Sequence, residues 1–181
     1  QHVLRQQLEA QPVRFFVRNY EALLDKARQA LADFLHADPE GLAFVPNATH
    51  GVNTVLRAMS FQSGDQILIT DHGYNACNNA ARIIAKHHQA EVIVASLPFP
   101  TQEATQLHDA VLQHITPRTR LVLLDHVTSP SALILPIHSL IPKLRERGIL
   151  TLIDGAHAPG MLPLDLSALD PDFYTGNCHK W

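Results

Sequence analysis

Two rhythms of apolar and polar positions run through this chain. Up to residue 37 the rhythm is helical. Leu23, Leu24, Ala27, Leu31, Phe34 and Leu35 recur at helical spacing, with Asp25, Lys26, Gln29 and Asp33 on the other side. Pro12 fits the first turn of a separate helical segment over 12–20, where its missing N–H is no loss. Beyond Asp38-Pro39 short apolar runs take over, at 42–45, 66–70, 91–97, 120–126, 149–154 and, more weakly, 173–176. Between them lie amphipathic stretches that predict helices over 49–59, 74–88, 101–115 and 138–147. Runs such as Leu121-Val122-Leu123-Leu124 are apolar on both faces, as strands are when helices cover both sides of a sheet. The alternation predicts βαβ units, hence a mainly parallel sheet in a three-layer α/β fold. Gly64-Asp65 and Gly148 supply turn or cap positions ahead of strands. The chain thus divides into an N-terminal helical segment, 1–37, and a partial α/β domain, 38–181.

Ligands of such sheets gather beyond the carboxyl ends of the strands. The residues that follow the apolar runs are unusually polar there: Asn47-Ala48-Thr49-His50, Asp71-His72-Gly73-Tyr74, Asp125-His126-Val127-Thr128-Ser129, Asp154-Gly155-Ala156-His157 and Asn177-Cys178-His179-Lys180. Five strand ends direct chemistry at one edge.

Composition removes several classes of partner. Fourteen basic against seventeen acidic residues, a formal charge of −3, give no basic field for nucleic acid or an anionic membrane. No apolar run nears the roughly 20 residues of a membrane span. The N-terminus has no signal-peptide pattern. Two cysteines make no disulfide framework and read as reduced thiols in a cytoplasmic protein. Twelve scattered histidines lack metal-ligand spacing, so no metal site is expected. The last residues follow a strand-like run without a terminating signal, and the chain is expected to be a fragment.

Three constellations carry chemistry, each with a plainer alternative. Asn47-Ala48-Thr49-His50-Gly51 opens a helix, where free N–H groups and the helix dipole can hold a phosphate; on this feature alone an ordinary capped helix start is the better reading. It matches neither the P-loop nor the dinucleotide-binding glycine pattern. Asp154 ends a buried strand, where an ionised carboxylate is costly unless a cation meets it. A protonated pyridine nitrogen is one such cation; a turn cap is the alternative. His157 can reach the same ligand or be a half-buried structural histidine. Lys180 is either a solvated charge or an active-site amine able to form a Schiff base. The rings of His72 and Tyr74 can stack on a flat cofactor or sit in an ordinary loop.

In this order the pieces resemble the class V aminotransferase family of fold-type I enzymes that use pyridoxal 5′-phosphate (PLP), and more nearly its isopenicillin N epimerase-like branch. The matching stretches are Phe44-Val45-Pro46-Asn47-Ala48-Thr49-His50-Gly51-Val52-Asn53, Thr70-Asp71-His72-Gly73-Tyr74-Asn75-Ala76-Cys77, Asp125-His126-Val127-Thr128-Ser129-Pro130-Ser131-Ala132, Leu152-Ile153-Asp154-Gly155-Ala156-His157-Ala158-Pro159-Gly160 and Asp172-Phe173-Tyr174-Thr175-Gly176-Asn177-Cys178-His179-Lys180-Trp181. The pairing of Asp-Gly-Ala-His with the later His-Lys is the specific part. The resemblance implies that Lys180 holds the cofactor, that Asp154 partners its pyridine nitrogen and that His157 stands near its phenolic oxygen. His72, with Tyr74 as the alternative, would stack on the ring. Ala48, Thr49 and His50 would bind the phosphate, helped by Asn177 and His179. Ser129 and Asn177-Cys178 depart from the cysteine desulfurases, which carry Asn and Ser-Gly there.

The expectation is therefore the large domain of a fold-type I enzyme acting at the α-carbon of an amino-acid substrate. Lys180 would act as base or acid at that carbon, and the whole protein would be a homodimer. Epimerase, aminotransferase, and desulfurase or C-S lyase chemistries remain open. So does a different class, a non-catalytic nucleotide- or flavin-binding α/β module, which would use 47–51 but gives no reason for Asp154 with Lys180. A degenerate fold of the same kind, kept as a structural partner, is the third rival, against which the retention of both residues speaks.

Overall fold

The structure is a computed structural model, and it describes residues 1–101 and 103–180. Gln102, inside the helix expected over 101–115, and Trp181, the last residue of the matching stretches, lie outside the described residues. Two compact units are present: Gln1–Phe44 with Asp165–Ser167, and residues 45–164 with 168–180.

The first unit is helical. It contains α1 (His2–Ala10), α2 (Pro12–Arg14), a π-helical turn over Phe15–Asn19 and α3 (Tyr20–Leu35). Pro12 takes the first position of α2, where its fixed φ suits the helix. On α3 only Leu35 of the predicted stripe is buried, together with Ala32 outside it; Leu23, Leu24 and Leu31 are half-buried, and Phe34 remains 49% exposed. A 3-10 turn over Pro39–Gly41 follows, capped by Asp38, whose side chain accepts from the Glu40 amide at 2.9 Å.

The second unit carries a five-stranded, wholly parallel sheet among the described residues: β1 (Gln66–Thr70), β2 (Glu91–Ala95), β3 (Thr119–Asp125), β4 (Leu150–Gly155) and β5 (Phe173–Gly176), in the order β2-β1-β3-β4-β5. Its longer helices are α4 (Ala48–Ala58), α5 (Asn75–His88), α6 (Ala104–Leu112) and α7 (Ile137–Arg145). The first expected strand does not form. Residues 42–45 run irregularly between the 3-10 turn and Pro46, which has no N–H for a ladder, and Phe44 and Val45 stay exposed.

Alternation along the strands assigns the two faces. Ile67 and Ile69, Leu121 and Leu123, and Leu152 share one core with Val52 and Leu56 of α4 and Ala80, Ala81 and Ala85 of α5. The other set, Leu68, Val122, Leu124 and Ile153, is equally buried and points to the opposite face, where α7 lies against β4 and α6 against α7. Each buried Leu or Ile contributes about 1.5–3 kcal/mol over leaving it in water. The parity also decides the site, because Asp125 and Asp154 continue the Leu121-Leu123 and Leu152 series, on the α4 and α5 face. His126 and Tyr174 belong to the other face. No helix among the described residues is long and apolar enough to cross a membrane.

Candidate active site

The loops after β1, β3, β4 and β5 and the start of α4 converge on one cavity of about 470 Å³ at the carboxyl edge of the sheet. This is a size suited to a small organic ligand.

One wall is the N-terminus of α4. Asn47 caps the helix, its Oδ1 accepting from the His50 amide at 2.8 Å. Asn177, buried after β5, accepts from the Ala48 amide at 2.9 Å. Two of the three amides expected to face a phosphate are therefore engaged inside the protein. The Thr49 amide between them has no acceptor among the described residues, and Thr49 lines the cavity. Gly51 is needed one turn on. A Cβ there would come within 2.8 Å of Thr175 Cγ2, so glycine lets α4 settle against β5.

The floor is acidic. Asp154 is 3% exposed, its Oδ1 accepts from the Ala156 amide at 3.0 Å, and its Oδ2 receives the Cys77 thiol at 3.2 Å. Asp125 is 5% exposed and stands opposite Asp154 in the β3–β4 register. The Tyr74 amide approaches its two oxygens at 3.2 and 3.5 Å. Burial first, and then the charge of Asp154, push the Asp125 carboxyl up to about 7. The same two causes hold the Cys77 thiol far above the ordinary thiol range. Neither carboxylate has a salt bridge among the described residues. Such a floor invites a cation.

Facing it, Lys180 Nζ lies 3.0 Å from His157 Nε2, both side chains being open to the cavity. With an ammonium on Lys180, the imidazole nitrogen accepts; with a neutral amine, either can donate. Ser129, Tyr74, Asn177 and His179 complete the lining. His72 is turned to Ser131 and Phe99, bonding Ser131 Oγ at 2.7 Å with ring centroids 5.5 Å from Phe99. Of the two candidate stacking rings, Tyr74 is the one that borders the cavity. On the other face of the sheet, His126 Nδ1 and Tyr174 Oη are 2.9 Å apart. Gly155 makes room for that ring, since a Cβ would lie 2.2 Å from Tyr174. Burial, and next His138, lower His126 to about 4.

Of the residues expected from the sequence, Thr49, Tyr74, Ser129, Asp154, His157, Asn177, His179 and Lys180 line this one cavity. Sequence reasoning gave Asp125 and Cys77 no role of their own in the site. Asp125 had a signal, for it ends an apolar strand as Asp154 does.

The chain matches the family Aminotransferase class-V over residues 11–181. It is 39% identical over 177 residues to the isopenicillin N epimerase of Streptomyces clavuligerus, an alignment covering 98% of this chain and 44% of that protein. Among solved structures, it superposes on the cystine C-S lyase C-DES in complex with its reaction product cysteine persulfide, with a TM-score of 0.89 at 27% identity, over 99% of this chain and 49% of that one. A C-DES mutant with glycine covalently linked to its PLP cofactor matches with a TM-score of 0.88, also at 27% identity, over 99% and 48%. The chain thus spans about half the length of these relatives, or less. By the extent of the family match, the chain belongs to the aminotransferase class-V family.

Proposed function

We propose that this chain is part of a PLP-dependent enzyme that acts at the α-carbon of an amino-acid substrate, with Lys180 as the cofactor-holding lysine. On this reading residues 1–37 form a helical lead-in and residues 38–181 are part of the cofactor-binding large domain of a longer polypeptide. The observation that carries it is a single cavity whose lining includes both Lys180, beside His157, and the buried Asp154.

The donor set suits PLP. The open Thr49 amide at the head of an 11-residue helix favours a phosphate, and the buried carboxylates without a cation favour a protonated pyridine nitrogen. Tyr74 offers a ring beside the space between them. When bound, PLP supplies an electron sink for negative charge developing at the substrate α-carbon. Asp154 fixes a negative charge at the end of β4, with Cys77 and the Ala156 amide holding its oxygens in place. Lys180 Nζ takes a proton from the α-carbon or returns it, and His157 Nε2, at 3.0 Å, orients that amine. Ser129, His179 and Asn177 shape the remainder of the site.

An epimerase- or aminotransferase-like reaction is favoured by the 39% identity to isopenicillin N epimerase. A second reading, C-S lyase or desulfurase chemistry, is favoured by the superposition on C-DES. Both readings share the proton step at Lys180. We extend the proposal to a homodimer in the cytoplasm with a small-molecule substrate.

Lys180→Ala in the full-length protein tests this reading. Wild-type protein should take up added PLP and gain a visible absorption band, and the variant should lack that band. Wild-type protein that stays colourless with excess PLP would sink the proposal.

A further inference from the structure

The cavity floor holds two acids where one counter-charge would serve. Asp125 and Asp154 end neighbouring strands in register, on the same face of the sheet, and strands lie about 4.8 Å apart. Both are buried and both line the cavity. They are not held alike. Asp154 has a donor on each oxygen, Cys77 Sγ and the Ala156 amide. Asp125 meets backbone amides alone: that of Tyr74 spans its two oxygens at 3.2 and 3.5 Å, and that of Ser129 also favours its ionised form.

The groups around the pair come from every neighbouring element. Cys77 reaches it from α5, Tyr174 on β5 feels the charge of Asp154, and His126 follows Asp125 just past the end of β3. Across the cavity stand His157, His179 and Lys180, none of them within salt-bridge distance of either carboxylate. Two buried carboxylates this close repel each other, and one of them keeps its proton more readily. The raised Asp125 carboxyl, near 7, agrees with that.

We propose that Asp125 and Asp154 work as one coupled carboxylate pair toward a cationic ring nitrogen, with Asp154 the fixed counter-charge and Asp125 a positioning residue whose ionisation tightens the hold. The inference rests on the PLP reading above. When the cation binds, Asp125 gives up its proton to water, so affinity gains a component that grows as pH rises through neutrality.

The test compares PLP binding by full-length Lys180→Ala protein with and without Asp125→Asn, by equilibrium dialysis. Working in the Lys180→Ala background removes the pH dependence of the lysine itself. At about pH 5.5 the two proteins should bind alike, because Asn resembles a protonated Asp. At about pH 8.5 the protein with Asp125 should bind about tenfold more tightly, the effect of one charge-assisted contact. A ratio that stays flat with pH overturns the pair and leaves the PLP reading standing; no PLP binding, even with Lys180 intact, overturns both. A second readout needs no cofactor. Infrared difference spectra of the apo wild type should contain a protonated-carboxyl band that titrates near neutrality, is lost in Asp125→Asn and is kept in Asp125→Glu. Absence of that band from the wild type also overturns the proposal.

Discussion

Asn177, just past β5, accepts a hydrogen bond from the amide of Ala48, the first residue of α4, at 2.9 Å and across 129 positions of chain. That bond fastens the strand leading to Lys180 onto the helix that starts the cavity wall. Asn177→Ala leaves the Ala48 N–H buried without its acceptor, at a cost of about 1–3 kcal/mol. Asn177→Asp keeps the acceptor and adds a negative charge, which the helix dipole tolerates and an anionic phosphate does not. The expected outcome is that Asp restores most of the stability lost in the Ala variant while binding PLP more weakly than wild type. Denaturant unfolding and PLP titration of the full-length protein measure both; an Ala variant as stable as wild type would remove the fastening role.

Cys77 and Cys178 should differ sharply in reactivity. Cys77 is buried with its thiol donating to Asp154, and burial followed by that carboxylate keeps it protonated. Cys178 is exposed. Alkylation of native protein at neutral pH, mapped by mass spectrometry, should modify Cys178 and spare Cys77 until the protein is denatured. Cys77→Ser, which keeps a donor, should cost less than about 1 kcal/mol, and Cys77→Val, which removes it, should cost more and loosen Asp154. Equal labelling of both thiols in the native state contradicts this picture.

The strand periods and strand-end polarity were legible in the sequence because buried parallel strands are continuous apolar runs. Runs 66–70 and 173–176 coincide with β1 and β5. The run at 42–45 misled because four apolar residues before Pro46 carry too little to separate a strand from an irregular segment. Asp154 and Lys180 stood out through their pairing in a motif, whereas Cys77 looked like any core thiol. Its bond to Asp154 depends on how the start of α5 is placed beside the end of β4, which no local pattern encodes. The engagement of Ala48 by Asn177 was hidden for the same reason.

Two buried groups on opposite faces of β3 should oppose each other in acid stability. Asp125 has its pKa raised to about 7, so its contribution is fully present below the unfolded carboxylate value, near 4, and is lost as pH rises through 7. His126 is lowered to about 4, so its contribution is present above the unfolded imidazole value, near 6.5, and is lost as pH falls through 4. Between about pH 4 and 6.5 the two slopes have opposite sign, each at most about 1.4 kcal/mol per pH unit. Relative to wild type, cofactor-free Asp125→Asn should therefore lose stability on acidification and His126→Gln should gain it. Unfolding curves taken across that window decide the matter; variants that track wild type at every pH would show that neither group is perturbed as described.

Asp154→Asn separates a charge role from a structural one. Asp154 is buried, its Oδ1 accepts from the Ala156 amide and its Oδ2 from the Cys77 thiol. Asn is nearly isosteric, and its amide oxygen can still accept one of these bonds. Folding and phosphate anchoring at α4 should survive. What the substitution removes is the negative charge that, on the proposed reading, keeps the ring nitrogen protonated. PLP should remain bound, though more loosely, while exchange of the substrate α-proton with solvent slows at least about 100-fold. That factor corresponds to about 2.7 kcal/mol of transition-state stabilisation, the scale of one strong charge-assisted contact. If Asp154 served only to cap the turn at Ala156, Asn would do nearly as well. Near-wild-type α-proton exchange in Asp154→Asn, followed by NMR in deuterated water, would count directly against the cofactor role assigned to this carboxylate.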